Sequence, residues 1–473
     1  MATAAVGAAL TGCSREKTAR SPDYTLRIGQ GLVELAPDRV VSTALYNGQF
    51  PGPLLRFTEG KPVTVDIHND TATPEQLHWH GQNLPVDVDG SAEEGTPYIP
   101  AHGMRRITFT PGPSGFRFYH THLVPGSDLS LGQYNGQVGP VYIEPTHNPG
   151  NYDQEIFLTL KEFDPSLSTS GDMDAGFLAG QPISELRDAG EKAMNASLAS
   201  GKPHGYEVGY QAFAINGRML GHGDPISVSE GQQLLLHVLN ASATENRSLA
   251  LPGHTFTVVA LDGNPVPRPV PVPVLWLGAA ERISALVRMT NPGVWILGDL
   301  SDDDRGNGMG TVVQYAGHGG DPQWAPPPPF TWDYRIFTQP GAQPGAAPEH
   351  TIDLLIEKHN AEHAGFNVWT LNGKAYDMDA HTPQFDLRHQ GRYRLRLRNA
   401  TDDIHPIHLH RHTFEVTHIA GTPTAGLLKD VVMLGGYQSL ELDFIANQSG
   451  LSLLHCHQQL HMDFGFMALL NTK

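Results

Sequence analysis

Cysteine is almost missing from this chain: Cys13 and Cys456 are the only two in 473 residues. Two thiols cannot build a disulfide framework of any size. Long apolar runs are missing as well, so no stretch reads as a bilayer-crossing helix. Basic residues are scarce, with 31 Lys and Arg against 49 Asp and Glu and a formal net charge of −18. That balance argues against nucleic-acid binding, which needs a basic footprint. The 11 Met are scattered, with no Met-rich segment.

What the chain does have is histidine, 25 of them, together with 51 Gly and 37 Pro. The Gly and Pro suit many short strands and turns. Histidine is the commonest metal ligand, so its clustering needs a reason. The length suggests about three domains at roughly 150 residues each.

Residues 2–10 are apolar and Ala-rich, and Leu10-Thr11-Gly12-Cys13 follows. This reads as an export signal ending in a bacterial lipobox, with Cys13 acylated. The expected location is therefore outside the cytoplasm, periplasmic or membrane-anchored. The other reading is a disordered Ala-rich tail.

Three landmarks recur in one order. Tyr46-Asn47-Gly48, Ile215-Asn216-Gly217 and Leu371-Asn372-Gly373 are turn signals beside strands. The stretches 60–69, 231–240 and 391–399 each open on Gly and end on Asn, and the third alternates Arg with apolar residues. Gly115, Gly293 and Gly450 then lead strands ending in His120-Thr121-His122, Gly298-Asp299-Leu300 and His455-Cys456-His457. The expectation is an all-β chain of three consecutive Greek-key sandwich domains. They are placed at 22–147, 148–335 and 336–473, after a signal-like segment 1–21. A polar insertion is placed at about 165–205 in the middle domain, which lacks the histidines and reads as structural.

Four clusters carry the chemistry: His78-Trp79-His80, His120-Thr121-His122, His405-Pro406-Ile407-His408-Leu409-His410, and His455-Cys456-His457 with His461. Side chains i and i+2 share one face of a strand, so each His-X-His pair aims two imidazoles at one place. Parity puts Cys456 opposite to His455 and His457, and His405 opposite to His408 and His410. Two sites follow. One holds His405, Cys456 and His461, the His2Cys set of a blue-copper electron-transfer centre. The other collects the eight paired imidazoles. His412 aligns with His254 of the middle repeat and reads as a packing residue. His222, His318, His359 and His363 read as surface or loop residues.

These clusters, in this order near both ends, resemble the four copper signatures of the multicopper oxidases, and the resemblance spans nearly the whole chain after about residue 22. It implies three cupredoxin domains, four copper ions, dioxygen as acceptor and a small reducing substrate. It implies type 1 ligands His405, Cys456 and His461. It implies type 2 ligands His78 and His408. The type 3 ligands become His80, His120 and His457 on one ion, and His122, His410 and His455 on the other. The axial position falls on Phe466, which cannot ligate, with Met467 next to it. Asp89 resembles the family's proton-relay acid, although Asp-Gly is also an ordinary turn pair. Where some bacterial members carry Glu after the last His, this chain has Met462, leaving Asp463 as a substitute. The resulting expectation is a laccase-like oxidase of phenols or aromatic amines. A Cu(I) oxidase, a copper nitrite reductase, and a non-enzymatic electron carrier or scaffold are the competing readings.

Overall fold

The computed structural model describes residues 21–145, 150–169, 176–378 and 380–473. Cys13 lies outside the described residues. No described helix is long and apolar enough to cross a membrane.

The chain folds as three consecutive cupredoxin-like β-sandwiches. In each, the opening strand pairs antiparallel with one following strand and parallel with another. Tyr24–Ala36 runs parallel to Val63–Asn69, Gln154–Phe163 to Gln233–Asn240, and His350–His363 to Arg392–Asn399. That shared crossover is the Greek-key signature of the repeat.

The Asn-Gly landmarks have a common physical role. Asn47, Asn216 and Asn372 take φ of 54°, 52° and 53°, and the following glycines are also positive. Two positive φ values in succession are what a tight hairpin of the right twist needs. Each Asn carboxamide also accepts from the opening strand, from the N–H of Arg27, Thr159 and Leu355. The Asn residues that end the second landmark also repeat one another. Asn69, Asn240 and Asn399 each accept from the N–H two residues on, at 2.9, 3.0 and 2.9 Å.

Alternation sets the layers. In Arg392–Asn399, Tyr393, Leu395, Leu397 and Asn399 are buried. Arg392, Arg394 and Arg396 lie on the opposite face and pair across to Asp443 and Glu441. The helix Ser184–Ala199, inside the expected insertion, packs on the strand His350–His363 of the third sandwich.

Two sheets carry the histidine pairs. His78–His80 is the edge strand beside Gly115–His120, with His78 opposite His120. In the third sandwich, His405–Leu409 pairs with Gly450–Cys456 so that His408 faces His455 and Ile407 faces Cys456. The antiparallel register thus realises the parity expected from the sequence: His408 and His455 share one face, His405 and Cys456 the other.

Candidate metal centre

His405 Nδ1 and His461 Nδ1 each lie 3.6 Å from Cys456 Sγ and 3.2 Å from one another. All three side chains are buried. His405 and Cys456 come from paired strands, and His461 from the short helix Gln459–Asp463 that follows. Thr401 Oγ1 lies 2.9 Å from His405 Nε2, which leaves Nδ1 directed at the thiol. Trp369 stacks on His461 at 3.9 Å. Burial pushes the Cys456 thiol up and holds His405 down at about 4. An uncharged thiol beside two uncharged imidazoles is the set that a soft cation converts to thiolate.

Phe466 packs its ring 4.9 Å from that of His405 and shares a core with Cys456. Met467 belongs to a separate apolar cluster with Tyr376, Leu453, Met462 and Leu469. Phe466, just before the strand Met467–Thr472, is therefore the neighbour of the His2Cys group, and Met467 is not.

The other eight imidazoles converge between the first and third sandwiches. His78 stacks on His410 at 4.1 Å and His80 on His408 at 3.8 Å, joining the two ends of the chain. His78, His408 and His410 have nitrogens close enough to hold one ion, as do His122, His410 and His455. His80, His120 and His457 have ring centroids 5.0–5.6 Å apart.

Hydrogen bonds show which nitrogen faces inward. Nδ1 of His78, His120, His408 and His455 donates to the carbonyls of Asp89, Thr121, Asp430 and Cys456. His410 Nδ1 donates to Asp89 Oδ2 at 3.1 Å. Carbonyl oxygens only accept, so these rings carry their proton on Nδ1 and present an Nε2 lone pair. His80 is reversed: Nε2 donates to Asp430 Oδ1 at 3.1 Å and Nδ1 points inward.

These residues fit metal. The inward nitrogens of His78, His80, His120 and His408, and both nitrogens of His122 and His457, are buried without hydrogen-bond partners. His410 Nε2 and His455 Nε2 face one another at 3.0 Å. Two lone pairs at that distance repel unless a cation lies against them. Burial first, then neighbouring imidazoles, holds His80, His120, His408, His410, His455 and His457 well below the usual histidine range. Neutral imidazole is the ligating form.

Asp89 sits at the seam. Burial would raise its carboxyl, but His78 and His410 hold it well below the usual range. Asp463 lies on the helix that carries His461, and its oxygens accept from Gly126 N and Gln459 Nε2, at 2.9 and 2.6 Å. His412 donates Nδ1 to the His410 carbonyl and packs on Phe444.

Three acids beside the cluster escaped the sequence reading. Glu93 Oε2 lies 3.5 Å from His122 Nδ1, and Glu94 Oε1 lies 3.4 Å from His410 Nδ1. Their place shortly after Asp89 was the available signal. Asp430 is a lone Asp far from any histidine motif, and nothing local marks it.

All-β sandwiches with a His2Cys group and an eight-histidine cluster define a three-domain cupredoxin oxidase architecture. Family models described as multicopper oxidase match residues 30–148, 183–316 and 348–473. The chain belongs to the multicopper oxidase family. It is 29% identical to multicopper oxidase MmcO of Mycobacterium tuberculosis, covering 99% of this chain and 90% of that one. It is also 29% identical to copper resistance protein A of Pseudomonas syringae, over 62% of this chain and 49% of that one. Laccase-4 of Thanatephorus cucumeris is 26% identical over 90% of this chain and 85% of its own. A multi-copper oxidase from Pseudomonas thermotolerans superposes with TM-score 0.70 at 24% identity, covering 96% of this chain and all of that one.

Proposed function

We propose that the protein couples one-electron oxidation of phenols or aromatic amines to four-electron reduction of dioxygen to water, as a laccase does. The observation that carries this reading is the junction at Cys456. Its thiol belongs to one cluster, while His455 and His457 on either side belong to the other. One strand end thereby connects a single-ion site to a three-ion site through two short covalent links.

In this reading His405, Cys456 and His461 hold type 1 copper, and His78 and His408 hold type 2. His80, His120 and His457 hold one type 3 ion, and His122, His410 and His455 the other. Bound copper supplies the electron-accepting and dioxygen-reducing chemistry. The chain buries the imidazoles and fixes their orientation. Asp89, which touches His78 and His410, is the proton-relay acid of this reading.

An organic donor is favoured over Cu(I) by the charges beside His461. Asp402 and Asp403 are occupied by Lys358 Nζ at 2.6 and 2.9 Å. Burial alone would lower that ammonium, but Asp403 and Asp402 hold it above the usual lysine value. The ammonium offsets one of the two carboxylate charges, which weakens the pull of this corner on an incoming cation. Phe366 and Phe464 stack at 4.4 Å nearby, with Tyr206 against Phe366. This aromatic face suits a planar donor. Oxygen uptake with a phenol, an aromatic amine and Cu(I), measured side by side, tests the reading. Turnover with Cu(I) alone would overturn the organic-donor assignment.

Export, with acylation of Cys13, belongs to the same proposal. Mass spectrometry of protein from the native host should show lipid on Cys13, and an unmodified thiol would refute it.

A further inference from the structure

The middle sandwich supplies no ligand to either cluster among the described residues. It nevertheless reaches the eight-imidazole cluster through Asp430, whose N–H donates to Asp262 of the middle sandwich and whose carboxylate meets that sandwich's Arg282. Arg282 grips Asp430 of the third sandwich with both Nη atoms, Nη1 to Oδ1 at 2.7 Å and Nη2 to Oδ2 at 2.6 Å. Arg117 of the first sandwich adds Nη1 to Oδ2 at 3.1 Å. All three side chains are buried, so three domains meet on one carboxylate.

That carboxylate also touches the cluster. Asp430 Oδ1 accepts from His80 Nε2, and the Asp430 carbonyl accepts from His408 Nδ1 at 2.7 Å. The first bond explains why His80 turns Nδ1 inward where His78, His120, His408, His410 and His455 turn Nε2. Gly81 is shaped by the same contact. A Cβ there would lie 2.7 Å from both Arg282 Nη2 and Asp430 Oδ2. The main chain after His80 runs against the clamp, with no space for a side chain between them.

A simple strut between domains would need Arg282 and Asp430 but not His80. A ring orientation set by a carboxylate beyond the ligand is what tunes metal affinity in other sites. We propose that Asp430 and Arg282 are a positioning pair that presets His80 to ligate through Nδ1. Copper occupancy of the eight-imidazole cluster then depends on docking of the middle sandwich. This rests on the copper reading above.

The test uses the full chain with Asp430→Ala, Arg282→Met and Arg282→Lys. Copper per chain is titrated against a chelator, and the absorption of Cys456-bound copper serves as an internal control. The expected result is an intact Cys456 band and an affinity at the other cluster lower by about 10–100-fold. Arg282→Lys should fall between, because an ammonium cannot fork onto both carboxylate oxygens. Folded variants with wild-type copper affinity at that cluster would overturn the proposal. Should the variants not fold, nitrogen NMR of metal-free wild type with labelled histidine decides. The His80 signal, assigned by its loss in His80→Gln, must report a proton on Nε2; a proton on Nδ1 overturns the proposal. Wild type that takes up a single copper would refute the oxidase reading instead, and the NMR result would stand apart from it.

Discussion

Asp89 and His410 are 321 positions apart in sequence and 3.1 Å apart in the fold. The same carboxylate oxygen lies 3.1 Å from His78 Nδ1, so one acid spans the seam between the first and third sandwiches. Asn at position 89 keeps the acceptor oxygen but cannot carry a proton. Asp89→Asn should retain copper, measured by atomic emission, while oxygen uptake falls by about 100-fold or more. Wild-type turnover at full copper content would refute the relay role.

Phe466 packs its ring 4.9 Å from that of His405, at the position that the resemblance assigns to the axial residue. Phe466→Met introduces a thioether there. The axial ligand tunes the potential of such a centre. A redox titration followed by the Cys456-copper absorption should show a lower potential than wild type. A rise or no change would count against Phe466 as the axial residue.

Gly90 has φ of 103°, and a Cβ on it would come within 1.9 Å of the Leu77 carbonyl oxygen. Backbone cannot yield as a flexible side chain can. Gly90→Ala should destabilise the first sandwich by at least about 1–3 kcal/mol from the strained φ alone. It should also displace His78, so thermal unfolding and copper content should fall together.

Glu75 is buried three residues before His78, and burial lifts its carboxyl from an ordinary 4.5 to about 7, despite a hydrogen bond from Gln137. Between those values the folded state holds a proton that the unfolded chain has released. Folding stability from this group is therefore full below about pH 4.5 and declines as pH rises through about 7. The loss is on the order of 3 kcal/mol at most. Glu75→Gln should flatten that decline in thermal unfolding measured from pH 4.5 to 8. An unchanged slope would show that Glu75 is ionised throughout.

Much of the fold was legible because it rests on local rules. Asn-Gly pairs demand two positive φ values, so Asn47, Asn216 and Asn372 marked the same hairpin three times. The alternation of Arg with apolar residues in 392–398 showed which face is buried. Parity alone separated Cys456 from His455 and His457, and the strand register places them accordingly. Asp463 was legible only as an acid two residues after His461; that its carboxylate accepts from Gly126 and Gln459 is decided by the fold.

The sequence by itself determined the repeats, the ligand types and their division into two groups, because each follows from strand periodicity over a few residues. Only the tertiary structure decided which nitrogen of each imidazole faces inward, and which acids stand behind them. His80 differs from its neighbours because Asp430 lies 350 positions away in sequence and 3.1 Å away in space. That contact exists only after three sandwiches have docked around Arg117 and Arg282. No local pattern encodes it, since a lone buried Asp acquires its role from the cations and imidazole that docking brings against it.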